Sequence, residues 1–290
     1  MLRLVAVTAA LLLQAFAARA QEARPGAQAG DVYEIRRESV SSETTNGESS
    51  ASSSSRNMLM ERVIAVHDSG VELEFDLPQD VSAEDRAPIW QFPVRVLRPP
   101  QGPLQLLNGP ELEARVERWL TAAELTRAAC GHWYFTWNAF QVECDPQSVV
   151  QALAKLELPG DLRDGAPYQE AGGRGPAVMR REPRAPDGTV FVVEMDIDPE
   201  AARRERAQAD IVVAEIMTRE SLSLEAALQA RSAERLSGTI RITFETDAGG
   251  RARRRTKVTE LAIEGPNGTR ETQTVTETVE RRLVPRPAGS

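Results

Sequence analysis

Residues 31–62, DVYEIRRESVSSETTNGESSASSSSRNMLMER, hold the turn on which the fold depends. Within them Thr45-Asn46-Gly47-Glu48 is a strong two-residue hairpin signal, because asparagine and glycine both tolerate the positive φ that a type I′ turn requires. Folding the chain about Asn46-Gly47 sets Ile35 opposite Met58 and Tyr33 opposite Met60, which puts four apolar side chains on one face. From Ser39 to Ser55 the chain is mostly serine and threonine, a composition that also fits a disordered linker. The apolar pairs at the base favour a long hairpin whose tip stands in water.

Working outward, Val71-Glu72-Leu73-Glu74-Phe75-Asp76-Leu77 alternates as a half-buried strand does, and Pro78 ends it because proline cannot donate to a sheet ladder. Short extended pieces follow over 88–107, broken by Pro93, Pro99, Pro100 and Pro103. From Pro110 the period changes: Leu112, Val116, Trp119, Leu120 and Ala123 recur at three and four, as on an amphipathic helix. Asp145-Pro146 opens a second helix carrying Val149, Val150, Leu153 and Leu156, with a capping aspartate and a proline at the first helical position. Between these helices Gly131 to Glu143 reads as a short hairpin turning near Trp137-Asn138.

Residues 159–188 are rich in Gly, Pro and Arg and read as a flexible linker. Strand periodicity resumes at Thr189–Asp198. Asp198-Pro199 repeats the cap-and-proline signature and predicts a helical stretch to about Leu236, broken near Thr218–Ser223 and ended by Gly238. The tail reads as a meander of Thr239–Thr246, Arg251–Glu264 and Thr269–Val284. Its turns fall at Asp247–Gly250 and Pro266-Asn267-Gly268. In the last strand Thr272, Thr274, Thr276 and Thr278 share one face, and Val275, Val279 and Leu283 the other.

Strands in both terminal thirds with helices between them define an α+β class: an antiparallel sheet, built from hairpins and a meander at both chain ends, packed with helices and carrying a disulfide-closed helical insertion. The expected parts are a leader over 1–20, a flexible lead-in over 21–30, a sheet-forming part over 31–109, the insertion over 110–158, the linker over 159–188, and a completing strand, helices and meander over 189–285. In its two sheet-forming ends this plan resembles the periplasmic lipoprotein carriers of the LolA type, a likeness of layout that rests on no motif.

Met1-Leu2-Arg3, an apolar run from Leu4 to Ala18 and the small residues of Ala18-Arg19-Ala20 make up a secretory signal peptide with cleavage before Gln21. The protein is therefore expected outside the cytoplasm, with the periplasm as its address and no transmembrane segment after cleavage. The full chain carries 35 basic and 43 acidic residues, a formal charge of −8; losing Arg3 and Arg19 with the leader makes it −10. Such a balance speaks against nucleic-acid partners, which need cations to displace counterions from phosphate. Cys130 and Cys144 are the only cysteines, and in an oxidising compartment they are expected to pair. The alternatives are a redox pair, for which the spacing is wrong, and a zinc site, which would consume both histidines, His67 and His132.

Trp133, Tyr134, Phe135, Trp137 and Phe140 supply five of the fourteen aromatic residues within eight positions. They are candidates for a stacking or partner-binding surface, or for the core of a small disulfide subdomain. Phe75, Leu77, Phe191, Val193, Ile242 and Phe244 alternate with polar neighbours and are the strand residues expected to line any apolar ligand site. Two acidic rows, Glu72/Glu74/Asp76 and Glu194/Asp196/Asp198, are candidates for a carboxylate pair of the hydrolase kind or for calcium binding, or simply for solvated strand faces. Arg251, Arg253, Arg254 and Arg255 are placed to neutralise one of these rows. His132, Glu143 and Asp145 flank the cysteines and are expected to converge if the hairpin forms, where a histidine beside a carboxylate could serve as general base, though no nucleophile is evident beside them. No nucleotide-binding loop, nucleophile elbow or zinc-protease motif is found, and no cofactor or metal is expected. The leading expectation is a non-enzymatic exported binding or scaffold protein, carrying an apolar ligand or meeting an envelope protein. The alternative is a secreted hydrolase.

Overall fold

The computed structural model describes residues 27–135, 139–184, 188–218 and 222–285. The expected leader, residues 1–20, lies outside them, as does Trp137. Five strands come first: β1 (Val32–Thr45), β2 (Glu48–His67), β3 (Gly70–Asp76), β4 (Val94–Arg98) and β5 (Gln105–Leu106), with a single-turn helix α1 (Ala83–Arg86) before β4. The middle of the chain holds α2 (Gly109–Ala122), β6 (Trp133–Phe135), β7 (Ala139–Gln141), α3 (Pro146–Ala154), β8 (Pro167–Tyr168), β9 (Ala177–Val178) and β10 (Arg180–Arg184). Then come β11 (Gly188–Asp196), α4 (Pro199–Thr218), α5 (Leu224–Ala230), β12 (Arg235–Thr246), β13 (Ala252–Glu264) and β14 (Arg270–Leu283). The α+β class follows directly: ten strands form one antiparallel sheet in the order β10-β11-β12-β13-β14-β1-β2-β3-β4-β5. The two chain ends meet at its centre, where β1 pairs with β14.

Asn46 and Gly47 take positive φ values of 51° and 87°, as the turn demands. The register beyond the turn differs from the expected one. Thr44 faces Ser49, but Glu43 faces Ala51, so Ser50 is an extra residue and forms a β-bulge. A one-residue slip exchanges the faces of everything beyond it. Ile35 therefore opposes Leu59 rather than Met58, and Tyr33 opposes Glu61 rather than Met60.

Directly paired residues share a face, so the register can be followed across the sheet. Phe191 faces Phe244, which faces Arg255; Arg255 faces Val279, and Val279 faces Arg37 of β1. On β1 and β2 the same face carries Tyr33, Ile35 and Val63, and it continues through Leu73 and Phe75 to Val94 and Val96. Both apolar cores consequently lie on one face. The N-terminal core is covered by Leu112, Val116 and Leu120 of α2 and by Val149, Val150 and Leu153 of α3. The C-terminal core gathers Phe191, Val193, Ile240, Ile242 and Phe244 beneath Tyr168, Met179 and Ala202.

Residues 159–188 are read from composition as a linker; their described part, 159–184, carries three short strands and the side chains that cap this second core. The Tyr168 ring meets Phe244 edge-on at 5.5 Å. The helical stretch also stops earlier than expected, at Ala230. Gly238 lies inside β12 instead of ending a helix, and a Cβ there would come 1.9 Å from the Glu260 carbonyl oxygen of β13. It serves the close approach of two strands.

The N-terminal core also encloses charge. Glu61 is 1% exposed. It accepts from Arg281 (2.6 and 3.2 Å) and from Arg98 (3.5 Å), and Arg98 also binds Glu157. The Arg281 guanidinium lies 3.3 Å from the centre of the Tyr33 ring. A buried carboxylate requires such partners, because desolvating an unpaired one costs several kcal/mol.

Candidate aromatic hairpin site

Cys130 and Cys144 are joined in a disulfide with their Cα atoms 5.6 Å apart. Gly131 N donates to Val142 O and Val142 N to His132 O, which starts the ladder immediately above the bridge. The ladder continues as Trp133 opposite Gln141, Tyr134 opposite Phe140 and Phe135 opposite Ala139. Tyr134 and Phe140 stack at 6.0 Å. Going outward the side chains emerge into water: Trp133 and Tyr134 are half-buried, Phe140 is 41% exposed and Phe135 62%.

The base of the hairpin is braced by groups that each have a structural task. The Trp90 indole donates to Glu143 O at 3.1 Å. The Glu143 carboxylate accepts from the amides of Cys144 and Asp145, both at 2.8 Å, and Asp145 caps α3 by accepting from Gln147 N. His132 turns the other way and meets Glu215 of α4 at 2.9 Å through Nδ1. Glu215 Oε1 also accepts from Trp133 N at 3.1 Å. These bonds from His132 and the Trp133 amide hold the Glu215 carboxyl below its ordinary range. His132, Glu143 and Asp145 therefore do not converge on a common point.

The bracing residue of this hairpin that sequence reasoning overlooked is Glu215. Its signal was present, since it is the lone charge in Ile211-Val212-Val213-Ala214-Glu215-Ile216-Met217. Successive helical residues advance by 100°, so Val213 and Met217, two positions either side, point away from the hairpin. Both are exposed, at 57% and 76%.

The strand candidates go elsewhere. Phe191, Val193, Ile242 and Phe244 are brought together, but inside the C-terminal core; Phe75 is in the N-terminal core, and Leu77 sits half-buried just beyond β3. The acidic rows do not meet. Strands β3 and β11 are six inter-strand spacings apart, about 29 Å at ~4.8 Å each. Glu72 pairs with Arg95, Asp76 with Arg86 and Glu194 with Arg241, while Asp198 caps α4 by accepting from Glu200 N and Ala201 N. The arginine run serves other groups, Arg251 with Asp247, Arg253 with Glu245 and Arg255 with the Lys155 carbonyl. Among the described residues no cluster of three or more His, Cys, Asp or Glu side chains is arranged to hold a metal ion.

These observations define an α+β protein with a single ten-stranded antiparallel sheet and a cross-linked aromatic hairpin. The cross-link is compatible with an exported protein, and no helix among the described residues is long and apolar enough to cross a membrane. No protein-family model matches the chain, and no curated protein matches it. Among solved structures it is similar to one titled for lipid-protein interactions in lipovitellin, at a TM-score of 0.40 and 12% identity, over 91% of this chain and 26% of that one. The chain thus spans about a quarter of the length of that neighbour.

Proposed function

We propose that the chain is exported after cleavage before Gln21 and acts as a binding protein that meets its partner through the aromatic hairpin. One observation carries the reading: Phe135 and Phe140 stand exposed on a two-stranded hairpin that a disulfide and Glu215 already hold in place. Exposed aromatic side chains on a preorganised scaffold favour association, because little conformational freedom is left to lose. The strand residues offer less support for a ligand site, since Tyr168, Met179 and the faces of α2 and α3 already occupy the space above them. The carboxylates offer less for hydrolysis, since the two rows lie far apart and Glu72, Asp76 and Glu194 are tied to arginines.

The test is to recover the protein from its native envelope fraction and identify co-purifying material by mass spectrometry. A Phe135→Ser/Phe140→Ser variant should lose that material while its thermal melt is unchanged. Retention of the same material by the double variant would remove the hairpin from consideration. N-terminal sequencing of the secreted chain should give Gln21; an intact Met1 would overturn the export part of the proposal.

A further inference from the structure

We infer that the open side of β2 is a docking edge for a second copy of this chain, the two strands pairing antiparallel about Ser54. Strand β2 is 20 residues long and its outer neighbour β3 only 7. The ladder between them starts at Met60 opposite Asp76. Among the described residues, therefore, no strand pairs with that side of β2 from Glu48 to Leu59, while β1 fills the other side. Every residue from Glu48 to Asn57 is exposed, on both faces of the sheet, so neither face obstructs an incoming strand. An unpaired edge presents a row of backbone donors and acceptors, and main-chain hydrogen bonds are what hold an added strand.

The sheet guards its two outermost strands and leaves this stretch open. Strand β10, at one end of the strand order, contains Pro183, and β5, at the other end, is two residues long. Both devices discourage pairing. Glu48–Asn57 holds neither proline nor lysine. A second copy is the occupant that fits, because this stretch is complementary to itself. With the bulged Ser50 left out of the count, the register that uses the whole open length sets Glu48 opposite Leu59, Ala51 opposite Asn57 and Ser54 opposite itself. Each of these pairs shares a face of the sheet, as antiparallel partners must. Each copy then fills the step left by the short β3 of the other, with the Asn46-Gly47 turn reaching the end of that strand. Serine meets serine at the centre; the Ser41 and Ser53 hydroxyls already bond at 2.8 Å across the β1–β2 ladder, a contact that Ser53 and Ser55 repeat across the new one. Between Glu48 and Arg56 there is no ionisable side chain, so two chains of net charge −8 meet without like charges face to face. The interface is isologous and closes as a pair.

The experiment is sedimentation equilibrium of the processed chain over a concentration series. A reversible monomer–dimer equilibrium is expected. Ser54→Lys and Ser54→Glu each set like charges across the two-fold axis and should each weaken the dimer about tenfold. An equimolar mixture of these two variants should restore it, since lysine then faces glutamate. Thr272→Lys places the same charge on the same face of the sheet, on β14 away from the edge, and should leave the dimer at wild-type strength. Phe135→Ser/Phe140→Ser should do the same, because the aromatic hairpin is a separate surface. A wild type that stays monomeric at about 1 mM overturns the pairing. So does a dimer that survives Ser54→Lys, that Thr272→Lys or the double phenylalanine variant weakens equally, or that the mixture fails to restore. If the wild type is monomeric but Ser54→Lys releases an envelope protein, the edge serves a different chain and the second-copy assignment falls.

Discussion

On the N-terminal side of the sheet, α2 and α3 cover the apolar face with leucine and valine: Leu112, Val116, Leu120, Val149, Val150 and Leu153. On the C-terminal side α4 is 20 residues long, against 9 for α3, yet it buries only Ala202 and Ala207. Two alanines remove little apolar surface from water, so this longer helix does less of the sealing. That task falls to Leu162, Tyr168, Ala177 and Met179, from a stretch whose strands are short. Helix α4 is instead tied by ion pairs, from Arg206 to Glu234 and Glu271 and from Arg231 of the turn after α5 to Asp210. Partly exposed pairs of this kind contribute about 0–1 kcal/mol each. Helical periodicity thus tells which residues face inward, and side-chain volume tells how much that face contributes.

The contrast can be broken at several points. The largest effect is expected from Phe244→Ala, which empties the fully buried centre of the C-terminal core and should cost about 4 kcal/mol, read as a shift of the urea midpoint at constant m-value. A loss below about 1 kcal/mol would show that this core is loose despite its burial. Next is Cys144→Ser. Opening the 14-residue separation should cost about 3 kcal/mol in the chain-entropy view. Amide exchange should quicken over 109–158 and stay slow in β11–β14; uniform acceleration would mean that the two sides do not respond separately.

Tyr168→Ala should cost about 2 kcal/mol as an incompletely buried aromatic, and a neutral result would return the segment to the status of a linker. The smallest effect concerns Glu215. Its carboxyl is held below the ordinary value of 4.5 by His132 and the Trp133 amide. A carboxyl depressed by folding contributes fully above its unfolded pKa, and that contribution is lost as pH falls through the folded one. The NMR shift of the Trp133 amide should therefore move with acidification below about 4.5, and Glu215→Gln should abolish that movement. A shift unchanged in the variant would assign the titration to another group.

Much of this architecture is legible in the chain, because alternation and turn chemistry are local. Asn46-Gly47, the strand over 71–77, the capped starts of α3 and α4 and the Cys130–Cys144 pair all announce themselves. What escapes depends on neighbours distant in sequence. The bulge at Ser50 is hidden in a run of serines, any of which could be the extra residue, and without it Leu59 and Glu61 are assigned to the wrong face. Glu61 reads as an exposed strand carboxylate until Arg281, about 220 positions away, is brought against it. Gly238 looks like a helix stop because glycine often is one; only the approach of Glu260 reveals its role. The site is readable as an aromatic cluster, but nothing local says which rings emerge, since exposure depends on where α4 docks.

The central seam between β1 and β14 has a consequence for the order in which the molecule can assemble. Tyr33 pairs with Leu283 about 250 positions later, so this ladder is among the last that a growing chain can close. Each half of the sheet is built of strands consecutive in sequence, and its tightly turned pairs, β1–β2, β2–β3, β12–β13 and β13–β14, can form early, since short loops cost little entropy to close. Until β14 emerges, β1 must wait with one edge unpaired, and an open edge is a template for pairing with other chains. The outer part of that edge reads Ser39-Val40-Ser41-Ser42-Glu43-Thr44, with little apolar surface to recruit a stranger. Its serines and glutamate are suited to waiting in water.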